Sequence, residues 1–355
     1  MSHRPLQDAE NAQLMYDILR SPDEHYDAVR RFSSSLILSV VFGKRAPRFS
    51  TKEVTDFYHV QHMSYPPVDQ VPILKYVPEM FAKWKRVCRE VHDLQHNSYS
   101  GLLEETEKRG FENGCYMETI LRRAAEWGLD REMVGYLGGA LIEGGSDITS
   151  SFTNSMILAL IAFPDAQRKA HEELDRVIGR DRAPEWEDLE DLPYIRALYR
   201  GYKIPKDSAV IINVWGIFHD PEVYNNPEIF NPDRYMESEI GTKKSHENDI
   251  GQRNDLSFGG GRRVCAGIHV AKYSATINAM HLLWAFDFSP SKNAKGEEIK
   301  PDVWDYAQAL SASPNPFKCT IRPRSTQHAE IIRQRFTEAT AVLKQFEYGE
   351  IKDAA

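Results

Sequence analysis

Cysteine is scarce in this chain: Cys88, Cys115, Cys265 and Cys319 are the only four in 355 residues. They are too scattered for a disulfide framework, and a reducing compartment suits them. Long apolar runs are missing too. The strongest, Met156 to Phe163, stops at Pro164, well short of the about 20 residues that cross a bilayer. No leader-like segment opens the chain, so it reads as free of a membrane anchor. Positive charge is in deficit, with 44 Lys and Arg against 52 Asp and Glu and a net charge of -8, which argues against a dedicated nucleic-acid binder. The length allows one large domain or two ordinary ones.

Helical patterning is plentiful. Met1 to Leu19 opens directly in a helix-like pattern, and the apolar stretch Phe32 to Phe42 predicts a buried helix. Pro66, Pro67 and Pro72 break the chain before Trp84 to Leu103, a charged segment with one apolar stripe that predicts a long surface helix. From Asp130, a good N-cap type, apolar residues recur at helical spacing through Met133, Leu137, Leu141, Ile148, Phe152 and Met156 until Pro164. Such a helix is about 50 Å long and crosses a whole domain. Its middle contains Glu143, Gly144, Gly145, Ser146, Asp147, Ile148 and Thr149. Each helical glycine costs about 1 kcal/mol relative to Ala. Two readings offset that cost: close helix packing, or a flat ligand pressed on the helix. Glu143 and Asp147, four residues apart on one face, have two readings: a carboxylate relay, or the commoner exposed acidic pair.

The richest stretch is Asp255 to His269, Asp-Leu-Ser-Phe-Gly-Gly-Gly-Arg-Arg-Val-Cys-Ala-Gly-Ile-His. Three consecutive glycines permit a tight turn beside Cys265. Peptide N–H groups of the turn and the start of the following helix favour an ionised sulfur there. Other readings are a phosphate loop, which lacks its Lys-Ser/Thr ending, half a zinc site, for which no second Cys/His pair is present, and a buried structural cysteine.

The stretch resembles the cysteine loop of cytochrome P450 monooxygenases, matching its Phe-x-x-Gly-x-Arg-x-Cys-x-Gly pattern at Phe258, Gly261, Arg263, Cys265 and Gly267. Further matches are Pro227 to Tyr235, which fits the family's Pro-x-x-Phe-x-Pro-x-Arg-Phe/Tyr turn, and the groove pattern at Gly144, Gly145, Asp147 and Thr149. The resemblance implies a mainly α fold with small β-sheets and haem b held through the Cys265 thiolate. It implies a propionate on Arg263, Phe258 and Gly267 positioning the loop, and an oxygen groove at Gly144 and Gly145 with Asp147 and Thr149 assisting. Leu310 and Ser311 would line the substrate pocket. Implied partners are an NADPH-dependent flavin reductase and a small apolar substrate. The family's usual place is the cytosolic face of the endoplasmic reticulum; without an anchor this chain is expected to be cytoplasmic or peripheral. The segments around Arg200 to Tyr202 and Asn213 to Trp215 look most like fungal secondary-metabolism members such as the O-methylsterigmatocystin oxidoreductase group.

The chain departs from the family pattern in three places. Ile148 stands where the family carries a proton-delivering threonine, and Thr149 lies about 100° further round the helix. The helix beginning Leu192 to Tyr199 gives way at Gly201 to a strand pattern, dropping the family's Glu-x-x-Arg segment with which Arg234 would pair. The nearest Glu-x-x-Arg, Glu173 to Arg176, reads as a surface pair. The N-terminal β-rich lobe is largely missing, so the expectation is a truncated domain over 1–324 and a helical extension over 325–355. The activity expected is hydroxylation by a haem-thiolate monooxygenase. The alternatives are an inactive relic that binds haem weakly or not at all, and a haem-dependent isomerase or dehydratase.

Overall fold

The architecture is laid down by helices whose ends the sequence marks. The computed structural model describes residues 3–61, 72–110, 114–191, 214–238, 240–246, 256–259, 264–307 and 312–347. In chain order the helices are α1 (Arg4–Arg20), α2 (His25–Phe42), α3 (Lys52–Gln61), α4 (Lys83–Lys108), α5 (Tyr116–Arg123), α6 (Arg131–Ala162), α7 (Pro164–Val177), α8 (Val214–Phe218), α9 (Arg234–Glu237), α10 (Ile268–Ala285) and α11 (Thr326–Leu343). Asp130 caps α6 through its side chain, which accepts from the Met133 amide at 2.8 Å. Pro164 opens α7 at the first helical position. Gly43, with φ +69°, ends α2 in the left-handed conformation.

α10 passes at Phe286 into a small antiparallel sheet of order β2-β1-β3, formed by β1 (Phe286–Lys292), β2 (Glu298–Ile299) and β3 (Cys319–Pro323). Phe286 pairs with Pro323 and Phe288 with Ile321, burying Phe286, Phe288 and Ile321 on one face. Gln167 of α7 bonds both backbone groups of Phe288, at 3.0 and 2.8 Å.

The core joins α1, α2, α6, α7, α10 and the sheet around Phe32, Trp284, Phe286, Leu14, Ile18 and Ile157, all nearly inaccessible. α1 is buried on almost every side, so its polar residues need partners. Gln7 donates to Ser274 and Asn11 to Asn278, each at 2.9 Å. The buried Glu10 carboxylate is held between Arg31 (2.7 Å) and Arg45 (3.1 Å), and Ser35 donates to it at 2.7 Å. Burial by itself would raise the pKa of Glu10, but the two guanidiniums outweigh it and hold the carboxyl below its ordinary value. Breaking such a buried pair costs about 3–5 kcal/mol. Residues 326–346 join this network: Arg45 bonds the Glu347 carboxylate and the Phe346 carbonyl, and Tyr16 stacks on Phe336 at 4.3 Å.

Glycines decide how closely α6 is approached. A Cβ at Gly138 would run into Phe42, and one at Gly139 into the Tyr99 ring; at Gly145 it would lie 2.7 Å from Ile37. At Gly144 it would meet nothing within 4 Å. The paired glycines therefore divide: Gly145 answers to helix packing and Gly144 to open space.

Two outcomes follow from this packing. Gly144→Ala is expected to stabilise the chain by about 1 kcal/mol, whereas Gly145→Ala should destabilise it because Ile37 must move; denaturant titration of both variants checks the difference in sign. Burial pushes His281 down to about 3 and His171 down to about 4. The unfolded chain takes up those protons below about pH 6.5 and the folded chain does not. Stability is thus full above about pH 6.5 and falls as the pH is lowered toward 4, by up to about 1.4 kcal/mol per pH unit for each histidine. Thermal unfolding at pH 7 and pH 5 should show a smaller drop for His281→Leu than for the unchanged chain.

Candidate functional site

Cys265 lies two residues before the N-cap position of α10, with its side chain exposed. Its amide donates to the Phe258 carbonyl at 2.8 Å, closing the loop, and Gly259 turns with φ +76°. Phe258 ends a short 3-10 turn, and the Lys272 ammonium lies 5.9 Å from its ring centre. At Gly267 a Cβ would come within 3.7 Å of the Cys265 sulfur, an ordinary contact distance. Arg263 and Gly261 lie outside the described residues.

The second element is the open face of α6. Gly144 is exposed, Ile148 is 58 % exposed and Phe152 39 % exposed, in a helix whose other apolar residues are mostly covered. These residues fall four apart on one side. Gly145 is turned to α2. Thr149 sits at intermediate exposure, and its carbonyl accepts from Thr153 at 3.0 Å; Thr153 in turn accepts from Asn278 of α10 at 3.3 Å. Asp147 lies toward α2 and α3. Its carbonyl accepts from Ser150 at 2.9 Å, and the Tyr58 hydroxyl donates to Ser150 at 3.3 Å. Burial pushes the Tyr58 phenol up to about 12, with the Asp147 charge acting in the same direction. Arg30 stacks over the same ring at 4.4 Å.

Several sequence expectations change here. Glu143 is not paired with Asp147 in a relay; it accepts from Gln95 at 2.6 Å and Tyr99 at 2.7 Å, both on α4. No pattern in the sequence links positions 95 and 99 to 143. Arg234 is satisfied within its own turn, donating to the carbonyls of Asn226, Ile229 and Asn231 at 2.9–3.1 Å. Glu173 is buried rather than part of a surface pair. Leu310 and Ser311 lie outside the described residues, but the chain on either side of them is placed. Tyr306 bridges to Pro314, Ala307 bonds Ser313 at 2.8 Å, and the Tyr306 hydroxyl donates to Ser155 of α6 at 3.0 Å. Tyr306 is therefore tied to α6 within one turn of Phe152.

The donor set fits a flat apolar iron-bearing group. One exposed thiol stands at the start of a helix, and an apolar helix face is left uncovered around a glycine that offers no side chain. Among the described residues no group of three His, Cys, Asp or Glu side chains forms an alternative metal cluster. No helix among them is long and apolar enough to cross a membrane.

The cytochrome P450 family model matches residues 7–199 and 198–319, two stretches that meet at the junction where the sequence drops the family's Glu-x-x-Arg segment. A cytochrome P450 monooxygenase of Armillaria gallica is 37% identical over 98% of this chain and 73% of its own length. The cytochrome P450 monooxygenases atE of Aspergillus terreus and patI of Aspergillus clavatus are each 31% identical over 97% of this chain, and over 71% and 72% of their own lengths. A zebrafish cytochrome P450 solved with abiraterone shares the fold, with TM-score 0.64, 19% identity, and coverage of 90% of this chain and 77% of that one. With the family model spanning most of the chain and fungal relatives above 30% identity along nearly all of it, this chain belongs to the cytochrome P450 family.

Proposed function

We propose that the chain is a haem-thiolate monooxygenase that hydroxylates a small apolar organic substrate in fungal secondary metabolism, with electrons from an NADPH-dependent flavin reductase. The observation that carries this reading is Cys265: an exposed thiol just ahead of α10, in a loop closed by the Cys265 to Phe258 backbone bond. Cys265 would ligate the iron of haem b, Phe258 and Gly267 would shape the loop beside the sulfur, and Arg263 would pair with a propionate. When bound, that cofactor supplies oxygen activation, which a thiolate ligand favours.

The remaining work belongs to the chain's own side chains. Gly144 leaves room on α6, and Ile148 and Phe152 present an apolar wall to the substrate. Leu310 and Ser311 are read as lining the substrate pocket; Tyr306, ahead of them in the chain, is tied to Ser155 of α6. Asp147 is the carboxylate read as assisting proton delivery at the groove, while Glu143 accepts from Gln95 and Tyr99 of α4. Residues 325–355 are read as a helical extension that braces α1 and Arg45 rather than as part of the site.

The reduced protein, reconstituted with haem and exposed to carbon monoxide, is expected to show the Soret band of a thiolate-ligated complex. Cys265→Ser should lose it while retaining the fold, and absence of the band from the unchanged chain would remove the reading.

Ile148 favours one second reading, a haem-dependent isomerase or dehydratase that needs no proton delivery to oxygen, since its exposed side chain puts a methyl group where a hydroxyl would serve that delivery. Under the monooxygenase reading, Ile148→Thr should lower the peroxide released per NADPH consumed severalfold. Unchanged release would favour the isomerase or dehydratase.

A further inference from the structure

Tyr99 of α4 lies along one turn of α6. Its ring covers Gly139, where any added Cβ would collide with it, and its hydroxyl donates to the Glu143 carboxylate at 2.7 Å. Gln95, one turn earlier on α4, donates to the same oxygen at 2.6 Å. Hydrogen bonds to a carboxylate are among the stronger kinds, and Tyr99 is only 8 % exposed. Burial, reinforced by that hydrogen bond, pushes the Tyr99 phenol well above its ordinary value, so its proton stays in place as a donor.

What this bond holds is the weakest turn of the helix. Gly144 follows Glu143 directly and has no neighbour over its Cα, so no side-chain packing steadies it. Packing between the helices is incomplete as well. A cavity of about 30 Å³ remains between α3, α4 and α6, bounded by Phe57, Val60, Leu94, Tyr99, Ile142 and Glu143 among others. Space of that size accommodates a water, so beside it the bonds to Glu143 add to the packing of the Tyr99 ring on Gly139 in holding α4 against this turn.

We propose that Tyr99 is a positioning residue for the candidate oxygen groove: through Glu143 it sets the backbone of the Gly144 turn, so that the placement of α4 is read at the groove. The structural link stands on its own; its meaning for oxygen chemistry rests on the monooxygenase reading.

Hydrogen–deuterium exchange on the full chain tests the link. Tyr99→Phe keeps the ring on Gly139 and removes only the donor, and is expected to speed exchange of amides 143–148 by about tenfold while amides 153–161 stay unchanged. Glu143→Leu should do the same. Glu143→Gln, which keeps an acceptor oxygen, should retain slow exchange, and so should Tyr136→Phe, a control whose ring packs edge-on against Tyr99. Unchanged exchange at 143–148 in Tyr99→Phe, or a rise spread evenly along α6, would overturn the proposal. In the haem-loaded protein, Tyr99→Phe should also displace the C–O stretch of the carbon monoxide complex where Tyr136→Phe does not; an unmoved stretch would overturn the role at the groove. Should the unchanged chain lack the thiolate band, the monooxygenase reading fails, while the exchange result still decides Tyr99.

Discussion

A helix of 32 residues carrying five glycines depends on its neighbours, since the glycines would cost it several kcal/mol in isolation. The structure recovers that cost by letting rings and branched side chains sit where glycine leaves no Cβ: Phe42 at Gly138, Tyr99 at Gly139, Ile37 at Gly145. α2 and α4 are therefore seated at depths that other residues on α6 would forbid. Gly144 is the exception, and the exposed Ile148 and Phe152 continue the face it opens. Helix packing and an open apolar face thus share one element, divided between successive residues.

A second constraint is charge kept away from water. Glu10 is fully buried and survives as a carboxylate only because Arg31 and Arg45 close on it from two sides, with Ser35 completing its bonds. Arg45 then reaches the end of the chain through Phe346 and Glu347. α11, which the sequence marks only as a helical extension, is tied by this network and the Tyr16–Phe336 stack to the helix that opens the fold. Loss of either arginine would leave the buried Glu10 charge with one guanidinium in place of two, a larger penalty than loss of an exposed ion pair.

Much of the fold was legible because helix ends are written locally. Asp130 and Pro164 mark boundaries through a cap and a fixed φ, each a property of one residue. The pattern around Cys265 could be read for a similar reason: its glycines, arginine, cysteine and phenylalanine are close in sequence, and the bond from the Cys265 amide to the Phe258 carbonyl spans only that stretch. Glu143 and Glu173 were misread from the sequence because their partners or their covering are set by elements distant along the chain. Glu143 found Gln95 and Tyr99 on α4 rather than Asp147 beside it. Arg234, left without the helix the family pattern supplies, turned to carbonyls in its own turn.

The sequence by itself determined the helical course of the chain, the limits of α6, the identity of the iron-ligating candidate and the absence of a hydroxyl at Ile148, since each of these is a matter of residue type and short-range spacing. Only the tertiary structure decided which of two adjacent glycines packs and which lies open, and which side chains the Glu143 carboxylate engages. A helix turns about 100° per residue, so neighbours in sequence face different surroundings, and those surroundings exist only once α2, α4 and α10 have closed around α6.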